Sequence, residues 1–190
     1  CIRDRFISEP KKDVNKILLP PKSCLFVNPA VPKGLEIFLS IASYHEKNKY
    51  MTKFICRDAK GYFMGELSKL DIKPNLLPKN IIIKRGTTDT DELFKDIRLV
   101  LILSLDHESG TSLIYEAYSR GIPVLAFENG GNKELLDDCK NDIFPLPDFE
   151  REVNNIIKVK KWNSSKMSER INTYMNSDII FKKRSEEVKM

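Results

Sequence analysis

Two carboxylates eight residues apart, Glu108 and Glu116, bracket a run of small residues, Ser109, Gly110, Thr111 and Ser112. Small side chains let backbone N–H groups approach a ligand closely, and free N–H groups at a helix start attract a phosphate or diphosphate. At ~1.5 Å per helical residue, the two carboxylates sit roughly 10 Å apart. That suits a ligand with a hydroxyl-bearing group on each side of a diphosphate, which is the shape of a nucleotide-sugar. Two further segments carry suitable groups. One is Asn28-Pro29-Ala30-Val31-Pro32-Lys33-Gly34, where Lys33 offers a positive charge, and the other is Arg85-Gly86-Thr87-Thr88. Spacing alone leaves Glu116 open to a second reading, an i, i+4 pair with Arg120 worth only a few tenths of a kcal/mol.

These segments need a scaffold that brings them together, and the apolar pattern supplies one. Strands are expected at Cys24 to Val27, Met51 to Cys56, Asn80 to Ile83, Leu99 to Leu103 and Pro123 to Phe127. Leu99 to Leu103 is apolar without interruption, as in the centre of a parallel sheet covered on both faces. Helices are expected from Gly34, with Leu35, Phe38, Leu39 and Ala42 at helical spacing, and over Ala59 to Leu70. Others follow at Asp91 to Ile97, with Asp89 or Thr90 as cap, and at Thr111 to Arg120, stopped by Gly121. After Phe127, Asn129-Gly130-Gly131 leads into Lys133 to Leu136. Strands alternating with helices about every 20 residues indicate a doubly wound parallel α/β sheet. Phe149 to Lys161 and Ser164 to Tyr174 are expected as two amphipathic helices, with the last dozen residues frayed. In such sheets ligands bind beyond the carboxyl ends of the strands, where the three segments lie.

Composition narrows the classes. The 190 residues are 41% hydrophobic and 31% charged, which argues against a disordered tail or a fibrous repeat. No apolar run approaches the roughly 18 residues of a membrane span. The first residue is Cys1, and the opening is unlike a signal peptide, so the chain is expected to be a piece of a longer one. Cys1, Cys24, Cys56 and Cys139 are too scattered for a disulfide framework or a zinc site and are expected as reduced thiols. The net charge of +5 comes mostly from dispersed lysines, with short clusters at Lys158-Val159-Lys160-Lys161 and Lys182-Lys183-Arg184. Solvated faces are expected at both, and weak adhesion to anionic lipid stays open. Aromatic and basic residues do not interleave as a nucleic-acid platform requires. No GxGxxG follows the first strand, against a dinucleotide site. His107 reads as a loop imidazole, and His45, at a polar helix end, as solvated.

The stretch from Leu99 to Leu136 resembles the donor-binding half of a group 1 retaining glycosyltransferase, a family with two Rossmann-like domains (the GT-B fold). Glu108 and Glu116 match the two glutamates of its Glu-x7-Glu motif, and the following Glu-Ala, Gly and Pro-Val also match. The resemblance implies that Glu108 contacts the donor sugar and that Glu116 holds the ribose hydroxyls. It implies a diphosphate clamp at the first-strand loop, where Lys33 matches the family's lysine. Asn28 stands where the family has an arginine, so Arg85, Arg57 or another group would have to substitute. Backbone groups of Arg85, Gly86 and Thr87, with Thr88, would cradle the base. The resemblance covers about Cys24 to Asp148 and extends to the final helices.

The expected organisation is an interdomain connector over residues 1–22, a nucleotide-sugar-binding domain over 23–162, and a C-terminal helix and tail over 163–190. The function implied is binding of a UDP-, GDP- or ADP-sugar for transfer of the sugar, with retention, to a glycan or lipid-linked acceptor. That places the whole enzyme in polysaccharide biosynthesis. Glu108 and Lys33 are the expected catalytic groups; Glu116, Ser109, Gly110, Thr111, Ser112, Asn28, Arg85, Gly86 and Thr87 are the expected binding groups. No cofactor and no metal are expected, because no carboxylate or imidazole cluster has ligand spacing. The acceptor-binding N-terminal domain is the expected partner, and without it turnover is not. A cytoplasmic location is expected, with peripheral contact at the inner membrane face open. Two rivals stay in view, a nucleotide-sugar 2-epimerase of the same fold and a non-catalytic glycan-binding or assembly domain.

Overall fold

The structure, a computed structural model, describes residues 22–136, 142–152 and 157–189. The expected connector thus lies, apart from Lys22, outside the described residues, as do Cys1 and Cys139. Strands β1 (Ser23–Val27), β2 (Lys53–Asp58), β3 (Ile81–Arg85), β4 (Leu99–Ile102), β5 (Val124–Phe127) and β6 (Ile143–Phe144) form one sheet. Every neighbouring pair is parallel, and the order is β3-β2-β1-β4-β5-β6. Helices cover both faces, so this is the doubly wound, Rossmann-like α/β architecture expected.

Alternation along each strand assigns the two cores. Cys24 and Phe26 of β1, Phe54 of β2 and Leu101 of β4 face α1 (Leu35–Lys47) and α6 (Ser165–Asn176). Leu25, Ile55, Val100 and Ile102 face the other way, onto Phe94 of α3 (Thr90–Phe94) and Ile114 and Ala117 of α4 (Ser112–Tyr118). Phe26 stacks on Phe38 at 4.4 Å between ring centroids, and Phe38 meets Phe54 edge-on at 5.8 Å. The side chain of Asp89 caps α3, accepting from the N–H groups of Asp91 and Glu92. Gly121 ends the α4 segment with φ +66°, a backbone state that glycine adopts without penalty.

Four expectations change. The helix expected from Ala59 begins later, as α2 (Phe63–Lys69), because the Asp58 carboxylate accepts from the Tyr62 and Phe63 N–H groups and starts it there. The segment expected as a helix over Phe149 to Lys161 is an antiparallel pair, β7 (Asp148–Arg151) and β8 (Ile157–Lys161). Its apolar residues recur every second position: Ile157 and Val159 pack on the core while Lys158 and Lys160 face solvent. The exposed lysines pair across the strands with Glu152 and Glu150, so this basic cluster is largely neutralised in place. The chain end is not frayed. It forms α7 (Asp178–Glu187), capped by the Ser177 hydroxyl.

His45 is the fourth correction, being fully buried rather than solvated. It continues the inward stripe of Phe38, Ile41 and Ala42 on α1, and its ring stands edge-on to Tyr50 and Phe54. Burial lowers its pKa to about 4. Burial also raises both described thiols, Cys24 well above its ordinary value and Cys56 to about 12, so neither is a nucleophile at neutral pH. The end helices are tied in by one buried carboxylate. Asp142 accepts from Arg170, Arg184 and the Tyr174 hydroxyl, and burial with the Asp142 charge raises the Tyr174 pKa.

Candidate functional site

The chain leaves β1 toward β2 and β3 on one side, and β4 leads to β5 and β6 on the other. The switch point between β1 and β4 therefore opens a crevice at their carboxyl ends, the favoured ligand position in such sheets. Residue types on the two loops fix its walls. After β1, Asn28 takes φ +58°, a left-handed state that asparagine tolerates better than most residues, and its N–H donates to the Arg57 carbonyl at 2.9 Å. Gly34 follows with φ +86°, and a Cβ there would lie 2.2 Å from the Leu103 carbonyl oxygen. Only glycine lets the two loops approach this closely. The Leu105 N–H donates to the Pro32 carbonyl at 2.9 Å and locks them together.

The loop after β4 is held from its other side. The Asn129 side-chain amide donates to the carbonyls of Ser104 and Asp106, and the Gly131 N–H donates to the Glu108 carbonyl at 2.8 Å. A Cβ on Gly130 would lie 2.0 Å from that same Glu108 oxygen. Arg151 of β7 forms an ion pair with Asp106. Thus the glycine turn after β5 and the hairpin together position Glu108. Its carboxylate forms an ion pair with the Lys33 ammonium across the crevice.

Asn28, Lys33, Glu108, Thr111, Ser112 and Glu116 line one cleft of about 240 Å³, floored by the ends of β1 and β4. Three segments separate in sequence thus supply one site. Thr111 caps α4, its hydroxyl accepting from the Leu113 N–H at 3.3 Å. Arg120 is turned toward α3, donating to Asp91 and Thr90 and lying over the Phe94 ring. From Arg120 the Glu116 backbone carbonyl accepts at 3.1 Å. Ser109 and Gly110 belong to the loop but do not line the cleft; they pack against Gly131 instead.

Arg85, Gly86 and Thr87 also stand outside this cleft, at the end of the edge strand β3. The Gly86 N–H donates to the Asp58 carbonyl, and a Cβ there would lie 2.4 Å from Ala59 Cα. Thr87 donates to Glu92 at 2.7 Å, and this bond, with that from Arg57, holds the Glu92 carboxyl below the ordinary carboxylate range. Arg57 is buried and donates to the Arg85 carbonyl and to Glu92. It is committed there and does not line this cleft. Asn129 and Arg151 are the positioning residues that sequence reasoning missed; an Asn-Gly-Gly run one residue beyond β5 is the signal that pointed to the first.

Among the described residues, no group of three or more His, Cys, Asp or Glu side chains is arranged to hold a metal ion. No described helix is long and apolar enough to cross a membrane.

No family model matches the chain, and no curated protein matches it either. Solved structures do. TarM superposes with a TM-score of 0.68 at 19% identity, over 97% of this chain and 33% of that one. A mutant S. aureus TarM in complex with fondaparinux, alpha-GlcNAc-glycerol and UDP gives 0.63 at 19% identity, over 96% and 33%. The C-terminal domain of the group 1 glycosyl transferase LpcC from Francisella tularensis gives 0.62 at 17% identity, over 90% and 84%. HepE of Anabaena, in complex with UDP and glucose, gives 0.58 at 18% identity, over 90% and 43%. The chain spans about a third of the length of the TarM structures and most of the LpcC domain. Its fold is that of the C-terminal, Rossmann-like half of GT-B glycosyltransferases.

Proposed function

We propose that the chain is the nucleotide-sugar-binding domain of a retaining glycosyltransferase that acts on a glycan or lipid-linked acceptor. One observation carries the reading: Lys33, Glu108 and Glu116 line a single cleft at the sheet's switch point. Neighbours of the same fold solved with UDP, or with UDP and glucose, support a nucleotide-sugar as the ligand class.

In this reading Glu116 accepts hydrogen bonds from the ribose hydroxyls, and Glu108 accepts from the sugar. Lys33 lines the same cleft and pairs with Glu108, and in this reading it meets the diphosphate. During transfer the bond from the anomeric carbon to the diphosphate oxygen breaks, and its electron pair stays on that oxygen. The acceptor oxygen bonds to the same face of the anomeric carbon, and its proton passes to the departing diphosphate. Lys33 stabilises the charge developing on the leaving group, an electrostatic role that otherwise falls to a metal ion. Transfer also needs a bound acceptor, which in this reading a second domain holds.

A thermal-shift screen of UDP, GDP, ADP and their sugars in EDTA tests the proposal. A shift with one nucleotide series supports it, and no shift with any of them overturns it. Free nucleoside diphosphate and an epimerised sugar, formed by the whole enzyme without acceptor, would favour the 2-epimerase instead.

A further inference from the structure

The cleft as described carries one cation and two carboxylates, Lys33 against Glu108 and Glu116. Its side-chain charge is negative before a diphosphate enters, and Lys33 is already paired. Asn28 adds no charge, and Arg57 is held by Glu92 and the Arg85 carbonyl. Another positive group is needed to make an anion site here.

A second cavity, of about 180 Å³, shares Asn28 and Lys33 with the cleft and extends to the turn between β2 and α2. Lys60 and Tyr62 join its wall there, on either side of Gly61, which has φ +71°. The carboxylates of this cavity are occupied. Asp58 accepts from the Tyr62 and Phe63 N–H groups at 3.2 and 3.0 Å. Glu66 accepts from the Val31 N–H at 2.7 Å and pairs with Lys69. Lys60 is exposed, and among the described residues it forms no ion pair. Its four-carbon stem stands on an open turn with no structural task.

We infer that Lys60 is the second cation of the diphosphate site, acting from the turn after β2 in place of the charge that Asn28 lacks. The inference rests on the nucleotide-sugar reading above. An anion held between Lys33 and Lys60 lies across Asn28, whose small side chain leaves the space open.

Calorimetry on the 190-residue chain tests it, with inorganic pyrophosphate, UDP, GDP, ADP and the matching nucleosides as probes. Lys60→Ala should weaken pyrophosphate and the bound nucleoside diphosphate three- to tenfold and leave the nucleoside unchanged. The loss should shrink as salt is raised, because an exposed charge is screened. Lys60→Arg should restore binding, and Lys166→Ala, on exposed α6 surface, should have no effect. Unchanged binding by Lys60→Ala, alongside a loss by Lys33→Ala, would overturn the role of Lys60 and keep the site. Equal losses in Lys60→Ala and Lys166→Ala would also overturn it, as an effect of overall charge. A wild-type chain that binds none of the probes would overturn both this inference and the function it rests on.

Discussion

Lys33, on the loop after β1, and Glu108, on the loop after β4, meet as an ion pair across the switch point of the sheet. Their side chains are 41% and 18% exposed, so the pair contributes no more than about 1 kcal/mol to stability. In the proposed function the pair matters more for binding. A diphosphate approaching Lys33 competes with a carboxylate already in contact with it.

That competition gives the first prediction. Glu108→Gln should raise the affinity for a nucleoside diphosphate by about threefold, roughly 0.6 kcal/mol, within the range of a half-exposed pair. The same change should lower the affinity for the corresponding nucleotide-sugar if, as proposed, the Glu108 carboxylate accepts from the sugar. Opposite signs for the two ligands by calorimetry are the expected outcome. A loss of both would place Glu108 in loop structure rather than in the site.

Glu116 lines the cleft, while Arg120 is anchored to Asp91 and Thr90. Glu116→Ala should therefore weaken nucleoside and nucleotide binding together, by roughly 1.5–3 kcal/mol, the scale of hydrogen bonds to a charged group. The unfolding midpoint in denaturant should barely move. Unaltered affinity, with a clear drop in stability, would assign Glu116 to the helix alone.

Gly34→Ala places a side chain at φ +86° and 2.2 Å from the Leu103 carbonyl. Backbone strain and overpacking together should cost about 3 kcal/mol or more, read as a lower denaturant midpoint. Any folded fraction should bind nucleotide poorly, since the loops bearing Lys33 and Glu108 are forced apart.

His45 makes stability depend on pH. Its native pKa of about 4 lies below the ordinary 6.5, so the unfolded chain takes up the proton first. Stability is intact above about pH 6.5 and falls toward pH 4, by at most about 3 kcal/mol from this residue. His45→Phe should flatten the denaturant midpoint across that window. A wild-type midpoint that stays constant from pH 7 to 4.5 would contradict the burial argument.

Much of the scaffold was legible because parallel strands buried on both faces read as continuous apolar runs. Leu99 to Ile102 and Val124 to Phe127 are such runs, and each was found within a residue or two. The β7–β8 pair was not, because Ile157 and Val159 alternate with lysines over only a few residues, a pattern too short to separate from an amphipathic helix. The burial of His45 is masked in the sequence by its polar neighbours Glu46 and Lys47, although its own position continues the apolar stripe of α1. In the site, Lys33, Glu108 and Glu116 were legible from motif spacing within single segments. The supports from Asn129 and Arg151 were not, since they reach the acidic loop from 23 and 45 residues away.

Whether Lys33 serves a diphosphate is decided by calorimetry on Lys33→Ala. Titrating wild type and variant with the diphosphate that binds, and with its nucleoside, separates charge from loop structure. The expected result is at least a tenfold loss for the diphosphate, about 1.4 kcal/mol, with the nucleoside nearly unaffected. Equal losses for the two ligands would contradict it.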